Sequence, residues 1–334
     1  MQNGVFQTGN PRWSAVFSLF MGVMALIAAE FIPVSLLTPI ARDLAVTEGM
    51  AGQTVTAVGV FAVLTSLLLA PLTGNIDRRR ILLAFSAMLA ASYMLIGIAP
   101  TYPIMLIGRA ILGICVGGFW SLASAVTLQL VPTKDVPRAL SIVYAGVSVA
   151  TIIALPVASW IGHLIGWRNV FFLGALMAAI GFVWQYRALP SLPARAGSGF
   201  RDMSALLRRT WILAGIGGNI LSFGGYHIFF TYLRPFLELD LGANTLSVIL
   251  LVFGVANVLG TFIAGALLGN HFRSTMILVH LAFTAAALAL LLSQGHADIG
   301  VALAVFWGFA FGFTPVLVTG TALSGKIRRK ISEN

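Results

Sequence analysis

Ten apolar stretches follow one another along this chain of 334 residues. Each is long enough to cross a bilayer core, which takes about 20 helical residues. The ten predicted helices cover residues 14–38, 51–73, 81–99, 103–127, 139–161, 170–188, 211–233, 246–268, 275–293 and 299–319. This pattern predicts an all-α membrane protein, and the few polar groups inside the apolar stretches are the places to look for function.

Composition excludes the soluble classes. Hydrophobic residues make up 59% of the chain and charged residues 9%, whereas soluble domains carry about 25% charged residues. The net charge of +10 does not indicate a nucleic-acid partner. The positive charges are scattered over short loops and form no stripe on a soluble face. The single cysteine, Cys115, lies in an apolar stretch and rules out a disulfide within the chain.

The basic residues predict the direction of each span. Sixteen of the 20 Lys and Arg residues lie at one set of span ends and three at the opposite set. Because cytoplasmic loops are enriched in Lys and Arg, we expect both termini in the cytoplasm. Both termini on one side require an even number of spans, in agreement with ten.

The chain divides into two predicted halves, residues 1–188 and 211–334, joined by a cytoplasmic loop at 189–210. Short internal sequence similarities fit two parallel six-helix repeats. One example is Asp43-Leu44, which recurs as Asp240-Leu241 after 197 residues. Two full repeats would take about 390 residues by this offset, so the second half is short by about two helices. We expect a truncation by a frame change near 316–320, with a native cytoplasmic tail as the alternative.

Glu30 in the first span and Arg109 in the fourth are the acid and base predicted at membrane depth. Glu30 lies eight residues before the end of its span and Arg109 six residues after the start of its own. Both therefore lie about 9–12 Å below the outer surface and can meet. The functional interpretation is a carboxylate that exchanges protons while facing a fixed cation. The alternative is a pair that only locks two helices.

Further polar and aromatic groups suggest a substrate path. Arg109, Gly113, Gly117 and Trp120 share one face of the fourth span, where the small residues allow close helix approach. Beside them are an aromatic ring and hydroxyls that would form a platform, namely Phe119, Ser121 and Ser124. Later spans add four residues that we expect to line a polar path: Asn219, Tyr226, His227 and Asn257. Packing and interhelical hydrogen bonds are the alternative for each of them.

The loop after the second span is strongly basic. It holds Gly74, Asp77, Arg78, Arg79 and Arg80. The simplest role for these arginines is to anchor the loop in the cytoplasm. No metal cluster, phosphate-binding loop or nucleophile–base set is visible in the sequence, so we expect no cofactor, no metal and no enzymatic activity.

These features resemble the major facilitator superfamily, in the drug:proton antiporter branch with twelve helices. The segment from Gly74 to Arg80 is similar to the family's loop motif between helices two and three, which implies a gating role. It is shorter than that motif and lacks a later glycine. Arg109, Gly113 and Gly117 are similar to the fourth-helix motif tied to proton coupling. The resemblance implies a 6 + 4 arrangement here, with the last two of the usual twelve helices missing.

Within that superfamily, five segments resemble bacterial exporters of purine ribonucleosides: 13–18, 30–39, 118–120, 166–171 and 230–235. This resemblance implies export of inosine- or guanosine-like nucleosides in exchange for protons, by a monomer in the inner membrane. The expected partners are a small-molecule substrate, protons and lipid. Two alternatives stay open. One is a proton-coupled exporter of drugs, sugars or amino acids, and the other is a truncated product that transports nothing.

Overall fold

The computed structural model describes residues 11–74, 76–193, 210–238, 243–292 and 297–313. Helices and short connections account for these residues, and no strand occurs among them. The helices are α1 Trp13–Ser35, α2 Leu37–Asp43, α3 Glu48–Leu72, α4 Arg78–Ile98, α5 Tyr102–Leu130, α6 Val136–Ile165, α7 Trp167–Ala188, α8 Thr210–Thr231, α9 Leu233–Glu238, α10 Ala243–Leu292 and α11 Ala297–Phe311. The all-α fold predicted from the apolar pattern is confirmed.

The chain forms two compact units. The first comprises the described residues within Met1–Ala154 and Ile161–Asp202, and the second those within Leu155–Trp160 and Met203–Asn334. The loop predicted to join the halves is described only at its two ends, as residues 189–193 and 210.

Nine helical segments of the described residues are long and apolar enough to cross a membrane. The tenth predicted span coincides in part with α11, whose apolar segment Asp298–Phe311 is shorter than the nine. Residues 314–319 of that prediction, together with the polar tail, lie outside the described residues.

Local sequence signals fix several helix ends. The side chain of Thr47 accepts a hydrogen bond from the backbone N–H of Met50 at 3.1 Å and caps α3. The first predicted span is not one continuous helix. In the structure α1 ends at Ser35, and α2 begins at Leu37 after the single residue Leu36. Gly166 separates α6 from α7 with φ +88°, a left-handed conformation that glycine adopts without strain.

Small residues bring α3 and α5 into backbone contact. A Cβ added at Gly113 would lie 2.5 Å from the carbonyl oxygen of Val58, and one at Gly117 would overlap the carbonyl of Ala62. The close approach that the sequence predicted for this face of α5 is therefore present, with α3 as its partner.

Buried polar side chains join the helices of the first unit. The hydroxyl of Tyr93 donates to the carbonyl oxygen of Ala25 at 2.8 Å. The amide of Gln185 accepts from the hydroxyl of Ser86 at 2.6 Å and donates to the carbonyl oxygen of Ser18 at 3.2 Å. Each bond satisfies a group that would otherwise be costly to bury, so α1, α4 and α7 are held at fixed relative positions.

Contacts at the two ends of the first unit agree with alternating helix directions. At one end, the N–H of Arg12 donates to the carbonyl oxygen of Leu130 at 3.0 Å and joins the start of α1 to the end of α5. At the other end, Arg168 forms an ion pair with Asp43 and donates to the carbonyl oxygen of Ala99 at 2.9 Å. The ends of α2 and α4 therefore lie beside the start of α7.

One helix of the second unit is longer than predicted. The sequence predicted two spans with an interruption at 269–274, but the backbone of α10 is a single helix of 50 residues. The interruption was inferred from polar residues and a glycine. Without proline in this segment, the helical backbone hydrogen bonds need not break there. Two candidate spans, Thr245–Ala264 and Ser274–Leu292, lie within this one helix.

Candidate functional site

Arg109 is the charged centre of the first unit. Its side chain is 0% exposed. The guanidinium donates from Nε to the carbonyl oxygen of Thr54 at 2.9 Å and from Nη1 to the carbonyl oxygen of Ala29 at 2.7 Å. Backbone carbonyls of α1 and α3 therefore solvate a cation that is expensive to bury. The third guanidinium nitrogen, Nη2, is buried and has no hydrogen-bond partner among the described residues.

Glu30 follows Ala29 on α1 and is half-buried. Its charge acts on Arg109, so the two groups predicted to meet from their equal depths do lie within electrostatic reach. The fixed cation and the more accessible carboxylate come from different helices. Their arrangement places a half-buried carboxylate within electrostatic reach of a buried cation that backbone carbonyls hold.

An aromatic pair lies further along α5. Trp120 is half-buried and stacks on Tyr144 of α6, with ring centroids 5.7 Å apart and an interplanar angle of 10°. The hydroxyl of Tyr144 is hydrogen bonded to that of Ser124 at 2.7 Å. Tyr144 was missed in the sequence reasoning. The available signal was a hydroxylated aromatic residue within an apolar span.

Two other members of the predicted platform have structural partners. Phe119 is buried, and its ring packs against Gly22 of α1. Ser121 is exposed, and its hydroxyl donates to the carbonyl oxygen of Gly117 at 2.7 Å, which leaves only its acceptor positions for a ligand. Trp120, Ser124 and Tyr144 are the residues of this region that the fold brings together.

The second unit contains an aromatic cluster. Tyr226 is 2% exposed and its ring stacks on that of Phe311. His227 is half-buried and meets Tyr226 edge-on, with ring centroids 5.1 Å apart. Phe230 completes the cluster, 5.3 Å from Tyr226 between centroids. Tyr226 and His227, both predicted to line a polar path, therefore lie together among the aromatic rings of Phe230 and Phe311.

The two predicted amides of this unit differ. The side chain of Asn219 lies outside the described residues. Asn257 is buried on α10, and its Nδ2 donates to the carbonyl oxygen of Gly308 on α11 at 3.3 Å. An added Cβ at Gly308 would lie 2.7 Å from the carbonyl oxygen of Phe253, so these two helices pack closely at this level. Asn257 is thus bonded between two helices.

The basic loop of the first unit is organised by Asp77. Its carboxylate accepts hydrogen bonds from the N–H of Arg79 at 2.8 Å, which caps α4, and from the N–H of Leu192 at 2.9 Å. The hydroxyl of Ser191 donates to the same carboxylate at 2.5 Å. The chain that leaves α7 is therefore bound to the loop after α3.

The arginines of this loop have separate roles. Arg78 donates from its N–H to the carbonyl oxygen of Leu192 at 2.9 Å, and Arg79 donates from Nη2 to the carbonyl oxygen of Tyr186 at 2.7 Å. Arg80 is exposed, and Gly74 is half-buried at the end of the preceding turn.

The pKa of Asp77 reflects this environment. Partial burial raises it, but the hydrogen bonds from Ser191, Leu192 and Arg79 and the charge of Arg80 lower it by more. The pKa of this carboxyl group therefore lies below its ordinary value, and the group is ionised at neutral pH.

Known proteins share both the sequence and the fold of this chain. The purine ribonucleoside efflux pump NepI of Salmonella paratyphi C (strain RKS4594) is 39% identical over 308 residues, which are 92% of this chain and 78% of the pump. The NepI of Salmonella enteritidis PT4 (strain P125109) is 38% identical over the same shares.

Solved structures show the same architecture at low sequence identity. The nucleoside transporter NupG superposes with a TM-score of 0.74 at 13% identity, covering 92% of this chain and 85% of NupG. The D-xylose–proton symporter gives a TM-score of 0.70 at 15% identity, covering 92% of this chain and 82% of the symporter. The sequence profile of the Major Facilitator Superfamily matches residues 16–327. This chain, a multi-pass transporter, belongs to the Major Facilitator Superfamily.

Proposed function

We propose that this chain exports purine ribonucleosides in exchange for protons, as a monomer in a bacterial inner membrane with both termini in the cytoplasm. The observation that carries the proposal is the 39% identity to a purine ribonucleoside efflux pump across 92% of the chain. The chain acts by transport and catalyses no covalent reaction. The excess of Lys and Arg at one set of span ends supports the orientation.

Glu30 and Arg109 support the coupling to protons. A proton on Glu30 neutralises its carboxylate and removes its attraction to Arg109. Arg109 stays in place because two backbone carbonyls hold it. Binding and release of one proton therefore changes the net charge of the pair by one while the cation remains fixed. Such a change favours different helix arrangements in the two protonation states.

The Trp120–Tyr144 pair supports an aromatic substrate. A purine base is a flat π-system, and stacking on an aromatic side chain contributes about 0.5–1.5 kcal/mol beyond the area buried. The hydrogen-bonded hydroxyls of Ser124 and Tyr144 lie at the edge of this pair and suit the hydroxyls of a ribose. His227 in the second unit offers a further ring and a polar nitrogen. We assign the basic loop around Asp77 a gating role, since its hydrogen bonds join the ends of two helices.

The test is flux of labelled inosine in proteoliposomes with an imposed pH gradient. Wild-type protein should accumulate or release inosine according to the direction of the gradient. Glu30→Gln should abolish gradient-driven flux and keep counterflow, because exchange of substrate for substrate needs no net proton movement. The matched control is Glu48→Gln, since Glu48 is an exposed carboxylate at the start of α3.

Three results would contradict the proposal. Gradient-driven flux in Glu30→Gln at the wild-type rate would remove Glu30 from the coupling. Inosine flux that is displaced by a drug, sugar or amino acid and not by guanosine would favour another substrate class. Stable wild-type protein without any inosine flux would favour the transport-inactive alternative.

A further inference from the structure

Outside the aromatic cluster, the second unit contains a Ser–His pair that links two helices. The hydroxyl oxygen of Ser222 on α8 lies 2.5 Å from Nε2 of His280 on α10. Nδ1 of the same ring lies 2.7 Å from the carbonyl oxygen of Met276, one turn earlier on α10. Both side chains are half-buried.

The partner of Nδ1 determines the tautomer. A carbonyl oxygen only accepts hydrogen bonds, so Nδ1 of His280 must carry a proton. In the neutral ring, Nε2 then has a lone pair directed at Ser222. The hydroxyl of Ser222 donates its proton to this lone pair.

The second contact of Ser222 makes another state possible. Its hydroxyl also lies 2.8 Å from the carbonyl oxygen of Gly218, one turn earlier on α8. If a proton binds Nε2, that N–H donates to the oxygen of Ser222, whose own proton turns to Gly218. The heavy atoms need not move, and no ring nitrogen loses its hydrogen bond in either state.

No charged side chain that the structure describes is bonded to the ring. The other titratable side chains that the structure describes in the second unit are Tyr226, His227, Tyr232, Arg234, Glu238 and Asp298. Among the described residues, none of them is hydrogen bonded or ion-paired to His280. The side chains of His271 and Arg273 on α10 lie outside the described residues. The hydroxyl of Thr284 donates to the backbone carbonyl of His280 and leaves the ring unaffected.

We propose that His280 and Ser222 form a proton-binding site in the second unit, with Nε2 of His280 as the atom that takes up the proton. Imidazole is the side chain that ordinarily changes charge between about pH 5 and 8. A charge within a membrane span is expensive and marks proton pathways. The role of this site in coupling rests on the proposed nucleoside:proton exchange. Its ability to bind a proton rests only on the hydrogen-bond geometry of His280 and Ser222.

The direct test is the titration of the full chain, labelled with ¹⁵N-histidine and reconstituted in lipid nanodiscs. His280→Gln identifies the His280 resonances by their loss, and His280→Asn serves if the first variant does not fold. We expect the neutral ring to be in the Nδ1–H tautomer, and Nε2 to take up the proton when the pH is lowered. Ser222→Ala should change the Nε2 signal of His280, because the Ser222 hydroxyl is the group bonded to Nε2 in both protonation states. Ser222→Thr, which keeps the hydroxyl, should retain the wild-type signal.

A ring that takes up no proton as the pH is lowered, a neutral Nε2–H tautomer, or an Nε2 signal unchanged in Ser222→Ala would overturn the site. Its role in coupling is tested by inosine flux. His280→Gln should slow gradient-driven flux at least about tenfold, which corresponds to 1.4 kcal/mol, and preserve counterflow. His163→Gln, at an exposed position near the end of α6, is the control. Gradient-driven flux at the wild-type rate in His280→Gln would overturn the coupling role. Failure of wild-type protein to transport inosine would instead overturn the proposed function, and the titration would still decide the proton site.

Discussion

The carboxylate of Asp77 accepts a hydrogen bond from the backbone N–H of Leu192, 115 residues further along the chain. The same carboxylate caps α4 through the N–H of Arg79. The side chain of Asp77 therefore caps the first turn of α4 and also binds the segment that follows α7. This relationship makes Asp77 a stabilising group as well as part of the basic loop.

Asp77→Ala should lower the free energy of unfolding by about 1 kcal/mol from the lost cap alone. The pKa of Asp77 is lowered in the fold, so its stabilisation is fully present above the ordinary value of 3.8 and is lost as the pH falls through the lower folded value. The stability difference between wild type and variant should be constant near neutral pH and narrow below about pH 4.

Thermal unfolding of purified protein between about pH 3 and 7 measures this difference across the relevant range. The control is Asp135→Ala, because Asp135 precedes α6 and makes no capping hydrogen bond with its side chain. Equal losses of stability in the two variants at neutral pH would show that the Asp77 bonds contribute nothing specific.

Gly117→Ala should destabilise the first unit by about 1–3 kcal/mol, the usual range for an overfilled contact. The added methyl group would meet the backbone of Ala62 on α3, which cannot turn away as a side chain can. Gly59→Ala is the matched control, since no described atom beyond its own stretch of α3 lies within 4 Å of its added Cβ. That variant should be neutral or more stable by up to about 1 kcal/mol, because alanine favours a helix. Equal thermal stability of the two variants would contradict the close α3–α5 contact.

Glu30→Gln and Arg109→Gln should not be additive. Removing either charge leaves the other without its electrostatic partner in the membrane, so the second substitution should cost less in the background of the first. We expect a coupling free energy of about 0.5–3 kcal/mol from a double-mutant cycle on thermal or denaturant unfolding. Effects that add within about 0.3–0.5 kcal/mol would show that the two groups act independently.

Tyr144→Leu should weaken inosine binding by about twofold to tenfold, the equivalent of losing roughly 0.5–1.5 kcal/mol of stacking. Tyr144→Phe keeps the ring and loses only the hydroxyl bonded to Ser124, so its effect should be smaller. The half-saturation concentration of counterflow measures both. Phe17→Leu removes an exposed aromatic ring of α1 and should change nothing. A wild-type value in Tyr144→Leu would exclude the aromatic pair from substrate binding.

The membrane spans were predictable because a bilayer demands about 20 apolar helical residues, a requirement that is local in sequence. That Glu30 lies within electrostatic reach of Arg109 was predictable for a related reason. Helix rise converts residue number into depth, and two groups at equal depth inside an apolar medium favour contact. The glycines of α5 likewise predicted a close contact with another helix, but they did not indicate which helix that would be.

Partners that are distant in sequence were decided by the tertiary structure. No periodicity in α6 indicates that Tyr144 stacks on Trp120, and none in the connection after α7 indicates that Leu192 binds Asp77. Asn257 was expected in a polar path, whereas the fold places Gly308 within its hydrogen-bonding reach. The sequence by itself determined the class of the protein, the approximate positions of its apolar spans, and the polar groups that these spans must accommodate. Only the tertiary structure decided which of those groups are neighbours, because rotation of each helix about its axis depends on packing against helices far away in the chain.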